Sequence, residues 1–187
     1  DQMWLDTATG MLTAQAGCSL DAILRRSIPH GYFVPVTPGT RFVSVGGAIA
    51  ADVHGKNHHR DGSFGVHVGS LDLVLADGTT RTLMPDDPMT RQEFWATVGG
   101  MGLTGVMTSA TVGMLPIRTS RMRVDTDRFT SLDALMARMI TADADYRYTV
   151  AWVDSVFAKA IRPVPKRLTS AMAPRTRSRY SRCSGMR

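Results

Sequence analysis

Val43-Ser44-Val45-Gly46-Gly47-Ala48-Ile49-Ala50-Ala51-Asp52-Val53-His54-Gly55, continuing into Lys56-Asn57-His58-His59, is the stretch on which the reading of this chain turns. Small residues dominate its first half, which predicts a tight loop passing into a short, closely packed helix. Glycine and alanine let a backbone approach a flat or anionic ligand closely, and successive backbone N–H groups can cradle phosphate oxygens. Close packing between helices explains such a run equally well, so the run by itself leaves both readings open. Its second half places imidazoles and an ammonium beside whatever the first half holds. A second glycine-rich stretch, Val98-Gly99-Gly100-Met101-Gly102-Leu103-Thr104-Gly105, lies further along. Two such loops with a His/Lys cluster between them point to a cofactor pocket.

Outward from this centre, the pattern alternates strands and helices without a regular strand–helix–strand repeat. Met3–Asp6 and Met11–Ala16 read as strands around Thr9-Gly10. Ser19 is placed to cap a helix whose apolar stripe is Leu20, Ile23 and Leu24, with Asp21 in its first turn and Gly31 beyond its end. Tyr32–Val36 is a short apolar run closed by the turn signal Thr37-Pro38-Gly39-Thr40. Ser70–Leu83 alternates around Asp77-Gly78, a strong hairpin signal. Pro88 suits the first turn of a helix ending near Thr97. Val106–Leu115, Met122–Asp127 and Tyr146–Val153 read as strands. Ser131 caps a helix to about Ala142, with Leu132, Leu135, Met136 and Met139 on one face. This order predicts an α+β fold with a mostly antiparallel sheet flanked by helices, not a doubly wound Rossmann fold.

Several function classes drop out. No GxGxxG follows a strand and opens a helix, and there is no GxxxxGK[ST] loop. No Gly-x-Ser-x-Gly elbow supports acyl transfer. Cys18 and Cys183 lack the spacing of a zinc site or a disulfide framework. His54, His58 and His59 invite a metal reading, but no Cys, Asp or Glu joins them at ligand spacing, and Gly55 interrupts a helix; no metal is expected. A histidine-rich surface loop and a cluster positioned beside a cofactor both remain open. Neither a signal peptide nor a membrane-spanning run is visible. The net charge of +6 is uneven. From Phe157 onward the chain carries nine basic residues and no acidic one, so residues 1–156 carry −3.

The segments Gly31 to Arg41, Val45 to His59, Gly62-Ser63-Phe64-Gly65, Phe94 to Gly100 and Gly102-Leu103-Thr104-Gly105 closely resemble the decaprenylphosphoryl-β-D-ribose oxidases. These are FAD-linked oxidoreductases of the vanillyl-alcohol-oxidase type. The glycine-glycine-alanine element is common across that class, whereas His54-Gly55-Lys56-Asn57-His58-His59 is more specific. The resemblance covers roughly residues 4 to 155. It implies noncovalent FAD as cofactor and an FAD-binding domain of the vanillyl-alcohol-oxidase type. By matching position, the cofactor contacts it implies are Gly39, Ser44, Val45, Gly46, Gly47, Ala51, Asp52, Val53, His54 and Val106. His54, Gly55 and Lys56 match the pocket where flavin and substrate meet. No catalytic base is assigned. The reaction implied is oxidation of the ribose 2-hydroxyl of a polyprenyl-phosphosugar to a ketone, with hydride passing to the flavin. A partner reductase then completes epimerisation to the arabinose precursor of the cell wall. The resemblance places the protein in the cytoplasm or peripheral to the inner membrane, associated through its lipid substrate, and no nucleic-acid partner is expected.

Two departures shape the expected domain organisation. The family's arginine- and glycine-rich pyrophosphate loop lies upstream of Asp1, and the match stops near Trp152-Val153-Asp154. The expectation is a partial FAD-binding domain over residues 1–155, followed over 156–187 by a basic tail that is disordered or out of frame. Alternative readings keep the flavin but change the substrate to another sugar, alditol or aldonolactone. A further alternative is a non-catalytic remnant or an anion-binding module acting through the tail.

Overall fold

Asp6, Asp77 and the alternation of the strands between them explain how the main sheet forms. The computed structural model describes residues 2–153 and the backbone of the strand Arg167–Ala171. Two compact units divide at Arg118, inside the stretch that the sequence assigns to one FAD-binding domain.

In the first unit, β1 (Met3–Asp6) and β2 (Met11–Gln15) form a hairpin. Asp6 organises its turn, accepting from the Ala8 amide at 2.9 Å and the Thr9 hydroxyl at 2.7 Å. These bonds hold its carboxyl below the ordinary carboxylate range, the Thr9 hydroxyl being the larger cause. Asp77 repeats the device between β4 (Val68–Val74) and β5 (Thr80–Leu83), accepting from the amide and hydroxyl of Thr79. With β6 (Val106–Gly113) these strands make a five-stranded, wholly antiparallel sheet in the order β1-β2-β6-β4-β5.

Period-two alternation sends Leu12, Ala14, Leu71, Leu73, Leu83, Ala110 and Val112 to one face, where all are buried. Register aligns them: Leu12 lies opposite Val112, and Ala14 opposite Ala110. The other face is polar. There the hydroxyls of Thr13 and Thr111 bond at 2.9 Å, and Asp72 accepts from Thr82 at 2.7 Å and Ser109 at 2.6 Å.

The apolar face is covered by α1 (Leu20–Ser27), α2 (Val45–Ala50), α4 (Arg91–Thr97) and the buried segment Val34 to Val36. Leu20, Ile23, Val45, Ile49, Phe64 and Phe94 complete the core. Each such fully buried side chain contributes about 1.5–3 kcal/mol of transfer free energy. A four-residue helix, α3 (His58–Asp61), stands off the core, and β3 (Tyr32–Phe33) pairs with β7 (Leu115–Pro116).

The second unit holds β8 (Val124–Arg128), α5 (Leu132–Ala142), β9 (Tyr148–Ala151) and β10 (Arg167–Ala171), with sheet order β8-β10-β9. Arg138 on α5 pairs with Asp127 at 2.9 Å, and the Tyr146 hydroxyl donates to Asp125 at 2.9 Å.

Two local expectations, the start of the helix near Pro88 and the buried face of α5, are corrected. The helix near Pro88 starts only at Arg91, because the amides of Thr90 and Arg91 both turn back to the Asp87 carbonyl and Pro88 falls in that turn. The apolar run from Tyr32 is half-buried to buried as expected of an apolar run, its first two residues forming β3 and Val34, Pro35 and Val36 following without ladder partners. On α5, Leu132 and Met136 are exposed, and the inward stripe is Leu135, Arg138, Met139 and Ala142. An arginine fits that stripe because Asp127 receives it. The expectations for 156–187 lie outside the described residues, apart from the backbone of β10.

Candidate functional site

The glycine-rich segment reaches its conformation through an exchange of helix-end donors. The first turn of a helix leaves amides without intrahelical partners. Those of α1 are taken by the incoming loop: Leu20 N–H donates to Val43 O and Asp21 N–H to Arg41 O, each at 2.9 Å. Ser19 Oγ takes Ala22 N–H. Reciprocally, Val45 N–H donates to Cys18 O at 2.9 Å and Gly46 N–H to Ala16 O at 2.8 Å, while Ser44 Oγ takes Gly47 N–H. Ser19 and Ser44 form an antiparallel bridge at the centre of this exchange. The amides of Val45, Gly46 and Gly47 are thus engaged within the protein. What α2 offers a ligand is instead an outer face of small residues, with Gly47 and Ala51 exposed and Val45, Ala48 and Ile49 turned into the core.

The other end of α2 is closed by the second glycine-rich loop. Gly99 N–H donates to Ile49 O at 3.0 Å and Met101 N–H to Ala50 O at 2.9 Å, satisfying carbonyls that a helix end otherwise leaves free. Asp52 then turns the chain with φ +40, a left-handed value that Asp tolerates better than most residues. Its Oδ1 accepts from Gly65 N–H at 2.8 Å. A side chain at position 65 would overlap Val98 Cγ1 and stand 3.0 Å from that same Oδ1, so only glycine lets the two segments meet.

Between Asp52 and Gly65 the chain makes a closed loop. Phe64 N–H donates to Val53 O, and His54 bridges Ser63. Asn57, fully buried, pins it from inside: Nδ2 donates to Pro35 O at 2.8 Å and to Asp61 Oδ2 at 2.6 Å. Gly55 is buried against Thr37, with room for no Cβ, since one would lie 2.6 Å from Asn57 Oδ1 and 3.0 Å from Thr37 O. Lys56 and His54 on either side are exposed. The rings of His54 and His58 meet edge to face at 5.8 Å and those of His58 and His59 at 6.0 Å, while His58 Nδ1 lies 3.1 Å from Gly55 O. Among the described residues no three His, Cys, Asp or Glu side chains converge to hold a metal ion.

The expected site residues therefore fall into three groups. Ser44, Val45, Gly46 and Gly47 open α2, and Ala51, Asp52, Val53 and His54 close it; Val45 itself is wholly buried. Gly55 and Lys56 lie within the pinned loop, directly after His54. Val106, 68% exposed, starts β6; in that strand Thr108 O takes the Ala16 amide, whose own carbonyl takes Gly46 N–H. Gly39 lies on the exposed loop of residues 38–42, whose Gly39, Thr40 and Arg41 amides have no partner among the described residues. Sequence reasoning left Asn57 and the capping role of the 99–101 loop unassigned. The latter was signalled only by its glycines, the former by nothing.

An extended, flat cofactor with a polar chain suits these groups. A small-residue face lies along α2, unpaired amides stand at 39–41, and the buried hydroxyl of Thr104, in the loop joining α4 to β6, has no hydrogen-bond partner among the described residues. No described helix is long and apolar enough to cross a membrane.

Comparison with known proteins agrees with that chemistry. Residues 1–84 match the family described as FAD binding domain. The decaprenylphosphoryl-beta-D-ribose oxidase of Mycolicibacterium smegmatis is 47% identical over 153 residues, 81% of this chain and 33% of that protein. A Streptomyces coelicolor protein described only as lying in the mprA 5' region is 47% identical over 127 residues, 68% of this chain and 34% of that protein. The mitochondrial D-2-hydroxyglutarate dehydrogenase of Bos taurus is 30% identical over 120 residues, 62% of this chain and 22% of that protein. The chain spans about a third or less of the length of these curated relatives. The match of residues 1–84 to an FAD binding domain supports FAD as the cofactor, and the mostly antiparallel sheet backed by helices is consistent with that fold.

Proposed function

We propose that this chain is the flavin-holding part of an FAD-dependent oxidoreductase that oxidises a secondary hydroxyl of a polyprenyl-phosphosugar. The observation that carries the reading is 47% identity, across both glycine-rich loops and the His-Gly-Lys-Asn-His-His string, to a protein named for oxidation of decaprenylphosphoryl ribose. The 30% identity to a D-2-hydroxyglutarate dehydrogenase supports the broader class, removal of hydrogen from an alcohol carbon.

In this reading the cofactor lies along α2. Ser44, Gly46, Gly47 and Ala51 present little side chain to it, and the turn at Asp52-Val53-His54 abuts its ring. Val45 acts from the core, holding α2 down on the sheet. Gly39 brings the amides of the 38–42 loop to its polar chain, and Val106 supplies an apolar contact at the start of β6. When bound, FAD supplies a two-electron acceptor. The chain's own contribution is position and charge. His54, Gly55 and Lys56 sit where flavin and substrate meet. The Lys56 ammonium is exposed and has no ion-pair partner among the described residues, so it is available to an anionic phosphate. The proton acceptor for the substrate hydroxyl is not assigned to any residue of this chain. A reductase that completes epimerisation belongs to the same proposal because the oxidised product is a ketone, and a peripheral association with the inner membrane belongs to it because the substrate is lipid-linked.

The test is reconstitution. The purified chain is incubated with FAD, desalted and read by visible absorption. Retained flavin with shifted, resolved bands supports the reading, and a colourless protein at saturating FAD counts against it. A loaded protein that is reduced by a hydroxy acid or a free sugar but not by a prenyl-phosphoribose would move the substrate to another alcohol.

A further inference from the structure

Asp21 is the meeting point of helix α1 and the cofactor loop, and nothing in the proposed chemistry uses it. Its backbone amide donates to Arg41 O at 2.9 Å. Its carboxylate takes the Arg41 guanidinium through Oδ1 at 2.9 Å and the Arg25 guanidinium through Oδ2 at 2.8 Å. Arg41 is therefore held at both its carbonyl and its side chain by one residue. Its guanidinium also lies 5.2 Å from the centre of the Phe42 ring. Arg41 immediately follows Gly39 and Thr40, whose amides are unpaired, and it precedes the bridge at Ser44. The loop is otherwise exposed from Gly39 to Phe42 and has no core side chain of its own to fix it.

We infer that Asp21 is a positioning residue for FAD: by clamping Arg41 it holds the 38–42 loop in the conformation that presents its free amides to the cofactor. The inference rests on the flavin reading of this site. The two arginines have separable parts. Arg25 is on α1 itself, four residues along, and steadies the carboxylate without touching the loop. Arg41 transmits the constraint. The Arg41 side chain is 44% exposed and that of Asp21 19%, so the pair is partly screened, and the expected effect on affinity is modest.

The experiment is a double-mutant cycle on FAD affinity, measured by quenching of flavin fluorescence on the full chain. It uses Asp21→Asn, Arg41→Gln, their combination, and Arg25→Gln as the control. Asp21→Asn and Arg41→Gln should each weaken FAD about three- to tenfold, and the double variant no more than either alone. Arg25→Gln should change affinity less than about twofold. Asp21→Glu, which keeps the charge, should recover part of the loss.

Hydrogen exchange without flavin reads the clamp directly. In Asp21→Asn, exchange of the peptide spanning residues 38–44 should rise, while α1 stays protected because Ser19 still caps it. Loss of affinity in Arg41→Gln alone, with Asp21→Asn unchanged, would mean that Arg41 touches FAD itself, and the inference is then wrong. Equal loosening of α1 and the loop would make Asp21 a helix-stabilising residue only, which also overturns it. A wild-type chain that takes up no FAD overturns the flavin reading. Unchanged exchange of 38–44 in Asp21→Asn overturns the clamp whatever the flavin result.

Discussion

Replacing Asn57 by Asp keeps the side-chain shape and removes two donors at once. The wild-type Nδ2 serves Pro35 O at 2.8 Å and Asp61 Oδ2 at 2.6 Å from a fully buried position. In Asn57→Asp a carboxylate oxygen replaces that nitrogen and faces a carbonyl and another carboxylate. Leaving a buried neutral acceptor unpaired costs about 1–3 kcal/mol, and a charged one more, so the expected loss at neutral pH is roughly 3–5 kcal/mol. The new carboxyl, buried and beside Asp61, must have its folded-state pKa raised above the unfolded value. A raised acid pKa means that the penalty is full above the folded pKa. The titrating part of it then fades as pH falls through that value and is gone below the unfolded one, leaving the loss of one donor, since a neutral carboxyl has a single O–H. The variant should therefore recover stability, relative to wild type, on mild acidification. Urea unfolding followed by circular dichroism at several pH values measures this, and hydrogen exchange over residues 34–37 and 54–62 should locate it. A variant within about 0.5 kcal/mol of wild type at neutral pH, with no recovery in acid, would refute the reasoning, since that is the ordinary scatter of a harmless substitution.

Gly65→Ala should cost about 1–3 kcal/mol by overpacking against Val98, and adding Val98→Ala should relieve a measurable part of it; a purely additive double variant in thermal melts would show that the contact is not the cause. At Asp52 two effects separate. Asp52→Asn keeps both the acceptor for Gly65 N–H and the tolerance of φ +40, so it should be near neutral, whereas Asp52→Ala loses both and should cost about 2 kcal/mol in denaturant unfolding. Equal stability of the two variants would remove the assigned role of the side-chain oxygen.

Local signals in the chain were enough for its elements. Ser19 and Ser131 cap the helices that their following apolar residues announce, and Asp77-Gly78 turns the hairpin that alternation on either side requires. These are short-range effects, in which a side-chain oxygen meets an amide two or three residues on, and sequence alone carries them. The errors arise where a competing turn or a partner on another element intervenes. The helix expected around Pro88 is delayed to Arg91 by Asp87, and Leu132 and Met136 on α5 lie outside while Arg138 turns inward, because Asp127 on another element takes the guanidinium.

The same division runs through the site. The residues of α2 and the histidine string are contiguous, so their small size, their cationic neighbours and their resemblance to FAD-linked oxidases could be read directly. That the amides of Val45 and Gly46 are already engaged depends on Cys18 and Ala16, brought up by the segment that follows β2. That the 99–101 loop caps α2, that Asn57 holds Pro35, and that Asp21 holds Arg41 are all contacts between residues at least 20 apart in the chain. Which hydrogen bonds remain free for a ligand is decided only after every internal donor has found its acceptor. Resemblance to FAD-linked oxidoreductases therefore pointed to the kind of cofactor, where composition and spacing alone left it open, and the tertiary structure decided which atoms are left to hold it.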